Sequence, residues 1–600
     1  MRRELVWPDL REEDIVFEDD HVLVVHKRAG VPTQAADPSR PDDLVTRLAR
    51  FVAARAGRST PAYLGVHQRL DQDTSGLLVM AKTKDANPGL ARQFESRGVK
   101  KRYVAGVVGW PAARRRATLD DWLVRGEGGA MQRAPEGRRR PRDATRARTH
   151  VEVLSSSGGR ALLGLELETG RTHQARVQLA LAGAPIAGDS LYGGAPASRL
   201  MLHASALELA HPVTGAPLRV RADDPEIAAW AAHGPRGAAV YDDPVALDRT
   251  LARAVERRFG LGRSEDLDPE ARKTTAFRLV HEDGDALPEL AVDAYGAHLV
   301  AQLYGTDGAF ADPARRERLF DALARLGFDG VYLKVRPKQA NTLVDTRRDD
   351  LAPAAPVRGA AAAAEIEVFE EGVPYLVRLG DGLSTGLFLD QRQNRRLVRE
   401  TCAGKRVLNL FAYTCGFSIA AAVGGALRTV SVDAAAVALE RGVEGLRHVG
   451  HWDPARHVMA AEDAFAWLER AARKDERFDL VVLDPPSYSR TKKRRFVATS
   501  DYAELAALAL RVLSPRGRMI ACCNHRGVSR AKLRKALFEA ARIAGRPVRQ
   551  IKDLAEGADF RPPAGAEAHM KSALVTLDDD GSPTRSPSAP RGVARGRRRR

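Results

Sequence analysis

The sequence predicts a multidomain protein of mixed α and β structure, and three observations carry that expectation. First, 600 residues are more than one hydrophobic core organises, so the chain divides. Second, residues 14–34, DIVFEDDHVLVVHKRAGVPTQ, alternate short apolar runs with turn signals, as β-structure does. Third, KRVLNLFAYTCG at 405–416 is an apolar strand entering a glycine turn. A small-residue helical stretch follows, then a second strand, Thr429–Val432, that ends in Asp433. Strand, turn, helix, strand and a terminal acid make an α/β unit whose acid can take ribose hydroxyls.

Composition narrows the partners. Lys and Arg number 95 against 77 Asp and Glu, a net charge of +18 and a pI near 9.9, which favours a polyanion, nucleic acid first. The four cysteines are Cys402, Cys415, Cys522 and Cys523. The last two are adjacent, poorly placed to bridge each other, and no Cys-x-x-Cys pair points to zinc, so no metal is expected. The opening MRRELVWPDLREED lacks the apolar core of a signal peptide. No run of about 18 apolar residues predicts a membrane span. The chain reads as cytoplasmic and reduced.

Taken in order, residues 40–57 predict a helix, with Leu44, Val45, Leu48 and Val52 at helical spacing. The stretch VHQRLDQDTSGLLVMAK at 66–82 places Asp71 on the loop entering the buried strand Leu77–Met80, where a scaffold can hold a catalytic side chain. An Asp alone there would more often cap a turn. After a helix comes KKRYVAGVVG at 100–109, a strand whose Tyr103, taken by itself, would more often be core. Residues 111–148 carry Arg114–Arg116 and Arg138–Arg140 among Gly and Pro, a solvated loop or a phosphate-binding arm. The arm is preferred, because arginine clusters supply salt-dependent affinity for nucleic acid. ETGRTHQARV at 168–177 precedes GDSLYG at 188–193 and LHA at 202–204. Residues 226–250 are Ala-, Gly- and Pro-rich and read as a linker. Beyond them the sequence predicts helical segments, a hairpin at 275–305, an Ala/Pro-rich loop at 351–364 and, from Asp578, a disordered basic tail.

The elements around Asp71, Tyr103, Gly170–Val177, Gly188–Gly193 and Leu202–Ala204 together resemble the RluA-type pseudouridine synthases. Gln68 stands where that family usually has His, and His67 lies one place earlier. The resemblance covers residues 14–225 and implies a mixed or antiparallel α+β fold with a basic cleft. It implies catalytic Asp71, with Tyr103 beside it and Arg171 as its ionic partner, a pairing that would keep the carboxylate charged. Arg69 and Arg176 are expected at the substrate.

The second half resembles class I S-adenosylmethionine-dependent methyltransferases acting on bacterial large-subunit ribosomal RNA. TGLFLDQR at 385–392, LNLFAYT at 408–414, SVD at 431–433 and DPPSY at 484–488 carry that likeness, over 275–577. It implies a small α+β module before a Rossmann-like α/β domain, with S-adenosyl-L-methionine as cofactor. By the same resemblance Phe411, Tyr413 and Gly416 meet the methionine end, Asp433 the ribose and Asp463 the adenine edge. Asp484, Pro485 and Pro486 shape the target pocket, flanked by Gln391, Arg392 and Asn524. Two branches share this signature. Cytosine carbon 5 needs a cysteine nucleophile, whereas guanine nitrogen 7 carries its own lone pair. An ungapped match from Gly517 puts His525 at the cysteine's place, so guanine nitrogen 7 is the sequence expectation, although the 275–305 hairpin looks more like the cytosine branch.

The expected organisation is a synthase at 1–228, a linker at 229–250, a small α+β module at 251–375, a methyltransferase at 376–577 and a tail at 578–600. The expected function is twofold RNA modification, with 23S ribosomal RNA or a large-subunit precursor as partner. The rivals are transfer RNA as the synthase's substrate, or an assembly factor that binds RNA with an inactive site. If the linker is a true one, residues 1–230 alone fold and make pseudouridine.

Overall fold

The computed structural model describes residues 10–34, 43–111, 113–126, 130–135, 141–258, 261, 274–305, 307–336, 348–490, 495–563 and 566–578. The chain forms two compact units. Unit one holds residues 1–372, 377–385 and 558–566; unit two holds 373–376, 386–557 and 567–600.

Unit one is built first on an eleven-stranded sheet. Its strands are β1 (Ile15–Glu18), β2 (Val22–Lys27), β3 (Gly65–Val66), β4 (Ser75–Ala81), β5 (Lys100–Val108), β6 (Arg116–Arg125), β7 (Met131–Arg133), β8 (Thr145–Ser157), β9 (Arg160–Leu167), β10 (Leu202–Ala210) and β11 (Pro217–Arg221). The order is β1-β2-β4-β10-β5-β9-β8-β6-β7, with β3 on β4 and β11 on β10. Only β4 and β10 run parallel; the other pairs in this sheet are antiparallel, so the sheet is mixed. Every residue of β4 is buried, as its unbroken apolar run requires. Helix α1 (Leu44–Arg55) starts where the carboxylate of Asp43 accepts from Thr46 N at 2.7 Å. Its Leu44, Leu48 and Val52 join Leu23, Val25 and Leu78 in one core. Helix α2 (Ala86–Glu95) and helix α3 (Gln174–Leu181) follow.

The stretch expected to be a linker is helical. Pro225–His233 is α4 and Pro244–Glu256 is α5, each opened by an Asp cap and a proline in the first turn. Ile227, Trp230 and Ala231 of α4 are buried in the core of the eleven-stranded sheet. Tyr241, Leu247 and Leu251 are buried in the core of a second sheet, made by β12 (Ala276–His281), β13 (Leu290–Tyr295), β14 (His298–Tyr304), β15 (Gly330–Arg336) and β16 (Arg358–Gly359), with α6 (Pro313–Ala324). Alanine and proline here make helix and helix start, not slack. The synthase region and the small module therefore share one unit, and the linker expected at 229–250 is not a break between compact units. The arginine-rich stretch is largely sheet: Arg116 pairs with Glu152 and Arg146 with Asp120, while Arg138–Arg140 and the tail from 579 lie outside the described residues.

Two short strands, β17 (Ile366–Glu370) and β18 (Val373–Val377), stand where the chain passes between units. Unit two is a seven-stranded sheet formed by β19 (Arg406–Leu410), β20 (Arg428–Asp433), β21 (His457–Ala461), β22 (Phe478–Leu483), β25 (Leu513–Cys523), β26 (Val548–Leu554) and β27 (Lys571–Leu577). A hairpin of β23 (Tyr488–Arg490) and β24 (Arg495–Val497) lies between β22 and β25. The sheet order is β21-β20-β19-β22-β25-β27-β26. The first five are parallel, and β27 returns antiparallel to β25. Chain direction reverses its progress between β19 and β22, which makes their carboxyl ends the crevice of the sheet. Helices α7 (Arg392–Thr401), α8 (Gly416–Val423), α9 (Ala436–His448), α10 (Ala464–Arg473), α11 (Tyr502–Arg511) and α12 (Arg530–Ala544) complete the unit.

Candidate active sites

In unit one a cleft of about 1260 Å³ opens over Asp71, Tyr103, Arg69, Arg171, His173 and Arg176. Asp71 sits on the turn before β4, closed by Thr74 N donating to Asp71 O at 3.0 Å. Its carboxylate accepts from Arg176 Nη1 at 3.2 Å, and His173 Nε2 stands 3.9 Å away. Arg176 in turn grips Asp189 with two bonds, Nε at 2.7 Å and Nη2 at 2.9 Å. That bidentate fork fixes the guanidinium plane. Arg176 is raised further above its ordinary range: burial alone would lower it, and Asp189, then Asp71, more than reverse that. Tyr103 rises from β5 into the same cleft, and burial first, then the charge of Asp71, keep its phenol protonated. Burial lowers His173, so its ring is neutral near pH 7, with Nδ1 3.0 Å from the Tyr192 hydroxyl.

The structure corrects one assignment. Arg171 is not the partner of Asp71: its Nε donates to Arg146 O at 3.2 Å on the cleft rim. Arg176 takes that role because α3 begins at Gln174 and turns its first loop toward the sheet, leaving Arg176 8% exposed. Sequence reasoning had placed Arg176 at the substrate and had not weighed Asp189, His173 or Tyr192. A signal was available: an arginine between Ala175 and Val177 in a helix start must pair with an acid if it is buried, and Gly188–Gly193 offers Asp189. Arg69 is exposed and lines the cleft.

In unit two the loop from β19 to α8 carries Phe411, Tyr413 and Cys415 at φ of 58°, 49° and 62°. Left-handed non-glycine residues cost about 1–3 kcal/mol each, and such cost is found where backbone N–H groups must face one ligand. Asp433 ends β20, its carboxylate accepting from Tyr413 N and Ala435 N, both at 2.8 Å. Asp463 follows β21 and caps α10 through Ala466 N at 3.1 Å. Gly416 opens α8. This tight left-handed loop, tied through Tyr413 N to the acid at the neighbouring strand end, sits at the carboxyl edge of the sheet, where S-adenosyl-L-methionine would place its methionine and ribose parts.

The target side lies at β22 and β25. Gln391 Nε2 donates to Asp484 Oδ2 at 2.8 Å, and Asn394 Nδ2 donates to Gln391 Oε1 at 2.6 Å. Burial first, then the charge of Asp390, push the Asp484 carboxyl up to about 7. Ser487 Oγ donates to Asn524 Oδ1 at 2.6 Å, tying the Pro485–Pro486 loop to the end of β25. Pro485 is buried and Pro486 exposed. Cys522 and Cys523 close β25 and are 0% and 2% exposed. Burial raises both thiols, Cys522 well above its ordinary value, and at Cys523 the backbone N–H of His525 and then the charge of Lys571 only partly oppose it. Arg392, expected to flank the target, is 3% exposed at the first turn of α7. Among the described residues no helix is long and apolar enough to cross a membrane, and no His, Cys, Asp or Glu cluster could hold a metal.

Two family models match the chain: RNA pseudouridylate synthase over residues 21–181 and S-adenosylmethionine-dependent methyltransferase over 337–572. The chain is 38% identical over 275 residues to YwbD of Bacillus subtilis, a match covering 45% of this chain and 66% of that one. It is 32% identical over 305 residues to a ribosomal RNA large subunit methyltransferase of Deinococcus radiodurans, covering 51% and 73%. It is 30% identical over 298 residues to ribosomal RNA large subunit methyltransferase I of Aeromonas salmonicida, covering 49% and 73%. These matches account for about half of the chain, and the RNA pseudouridylate synthase model accounts for a part ahead of them. A pseudouridine synthase module thus precedes the methyltransferase module, and the chain belongs to the ribosomal RNA large subunit methyltransferase family.

Proposed function

We propose that this protein places two marks on large-subunit ribosomal RNA in the cytoplasm, a pseudouridine and a base methyl group. The observation that carries the first is the chain Asp71–Arg176–Asp189 at the floor of a cleft shared with Tyr103. Arg176 holds the Asp71 carboxylate aimed, so it can act at the glycosidic carbon while the uracil detaches, turns and rejoins through carbon 5. Tyr103, kept neutral, packs beside the reacting base. Both reactions need a base out of its stack, and a net charge of +18 favours the phosphates on either side of it.

S-adenosyl-L-methionine, when bound, supplies an electrophilic methyl group. Phe411, Tyr413 and Gly416 would hold its methionine end, Asp433 its ribose and Asp463 its adenine edge. For the acceptor we read cytosine carbon 5 in place of the guanine nitrogen 7 expected from sequence. Cys523 ends the strand next to the one that delivers Asp484, and that carboxyl, pushed up to about 7, can hold a proton. Once the Cys523 thiol has released its proton to solvent, the thiolate adds at cytosine carbon 6 while Asp484 gives its proton to nitrogen 3, which makes carbon 5 nucleophilic. After the methyl group is transferred, the carbon 5 proton leaves to solvent, the thiolate is expelled, and the nitrogen 3 proton returns to Asp484, restoring the aromatic ring. Guanine nitrogen 7 is kept as a second reading because burial raises both thiols.

The test is nucleoside analysis of ribosomal RNA treated with the protein and labelled S-adenosyl-L-methionine. The expected products are pseudouridine and 5-methylcytosine. Asp71→Asn should remove the first, and Cys523→Ala should remove the second while Cys522→Ala keeps most of it. Methylguanine that survives both cysteine changes overturns the cytosine reading. Pseudouridine turnover by Asp71→Asn above a few per cent overturns the role given to Asp71.

A further inference from the structure

The loop that carries Asp71 is pinned residue by residue. Leu70 N donates to Thr33 Oγ1 at 3.1 Å, and that hydroxyl donates back to Leu70 O at 2.8 Å. Gln72 O accepts from Gly30 N at 2.8 Å and from the buried Lys27 Nζ at 2.9 Å. Gln72 Nε2 donates to Gly30 O at 3.0 Å. Gly30 can come this close because it has φ +89° and no side chain; a Cβ there would meet Glu256 O at 2.7 Å. Asp73 is held from elsewhere. Its carboxylate accepts from Arg561 Nη1 at 2.8 Å, a residue 488 positions downstream.

Arg561 comes from residues 558–566, which interrupt the second unit's stretch of chain between β26 and β27 and belong to unit one. The segment is seated firmly. Asp559, 0% exposed, accepts from Arg278 N at 3.0 Å, and its carbonyl accepts from Arg258 Nη2 at 3.0 Å. Phe560 carries the Arg278 guanidinium 4.8 Å above its ring and meets His281 edge-on at 5.5 Å. Gly284 leaves room for the backbone, since a Cβ would stand 2.2 Å from Arg561 O. Burial alone would raise Asp73, and the charges of Arg561 and then Arg257 more than reverse that, so the pair is ionic.

We propose that Arg561 is a positioning residue for pseudouridine formation: it clamps Asp73 and thereby keeps Asp71, two residues earlier, aimed at the sugar. The proposal rests on the reading of Asp71 given above. Misplacing a reacting group by about 1 Å can cost on the order of a hundredfold in rate. The clamp is supplied by the C-terminal part of the chain, so the synthase site is complete only when that part is present.

The experiment uses full-length protein and unmodified ribosomal RNA, with pseudouridine and methyl products counted in the same preparations. Arg561→Ala should lower kcat for pseudouridine by about tenfold or more with KM within about twofold, because alignment and not RNA affinity is lost. Arg561→Lys should recover most of that loss, since the charge and the reach remain. Asp73→Asn should match Arg561→Ala, and the double variant should be no worse than either, as one shared contact requires. Methyl transfer within about twofold of wild type confirms folding; if Arg561→Ala does not fold, Arg561→Gln and Arg561→Lys give the same comparison. An unchanged kcat in Arg561→Ala, or losses from Asp73→Asn and Arg561→Ala that multiply, overturns the clamp while Asp71→Asn remains inactive. If Asp71→Asn is itself active, the reading beneath the clamp fails first and the two failures are told apart.

Discussion

At Asp484 the physical chemistry of one carboxyl sets a pH dependence for half of the molecule. Its acid form is held up to about 7 by burial and by Asp390, against an ordinary value of 3.8. If that proton assists the base, methyl transfer should be level below about pH 7 and fall above it. The stability sign follows from proton binding. Between about 4 and 7 the native state binds more protons than the unfolded chain, so stability falls as pH rises through that window. Asp484→Asn should therefore lose methyl transfer at every pH and show a smaller drop in Tm between pH 5 and pH 8 than wild type. A methyl-transfer rate that rises above pH 7 would remove the acid from the mechanism. The identity of these residues was legible in unequal measure. Asp71, Tyr103, Asp433 and Asp484 stand at strand ends or on strands whose apolar runs mark them in the sequence. Arg176 was misjudged because Arg171, five residues earlier in the same run, offers the same chemistry. Only the helix phase set by Gln174 separates the rim from the floor.

Elements were read best where a single apolar pattern dictates them. β4 carries the apolar run Leu77–Ala81 and β22 the run Leu480–Leu483, both buried, and α1 follows its spacing of Leu44, Leu48 and Val52. The residues at 226–250 were misread because alanine and proline serve loops and helix starts alike. The Asp–Pro pairs at 224–225 and 243–244 were the available helix signals. The element that positions Asp71 also makes its own demand on one residue. Gly76, at φ +121°, lies in β4 where it meets β10, and a Cβ would stand 2.4 Å from Ala204 O. Both the conformation and the contact exclude a side chain there. Gly76→Ala should push β4 off β10, lower Tm by roughly 5 °C or more and cut pseudouridine formation far more than methyl transfer. Circular dichroism melts beside the two product assays check it, and an unchanged melt would show that the parallel pair yields freely.

For the molecule as a whole, the sequence divided the chain by chemistry and the structure divides it by packing. Two catalytic modules were legible because each carries its own motifs in order, but motifs say nothing of which helix seals which core. Trp230 of α4 packs against Gly106 of β5, where a Cβ would come within 2.9 Å of the indole. Glu226 joins Arg199, under the synthase sheet, to Arg253 of α5. Arg258 and Asp285 then link α5's end to the small module, and Asp559 caps that link. A cut at residue 230 leaves Trp230 at a frayed end and takes Arg253 from Glu226 and Arg561 from Asp73. Losing a buried partner of an ion pair costs about 3–5 kcal/mol, a large part of what a domain has to spare. The earlier expectation for residues 1–230 therefore reverses: that fragment should be poorly soluble or inactive, whereas the full chain makes pseudouridine. A fragment of residues 1–385 should fold, since it keeps both sheets of unit one, yet form pseudouridine at least about tenfold more slowly for want of Arg561. Wild-type turnover by residues 1–230 would show that unit one's shared core does not bear on the reaction.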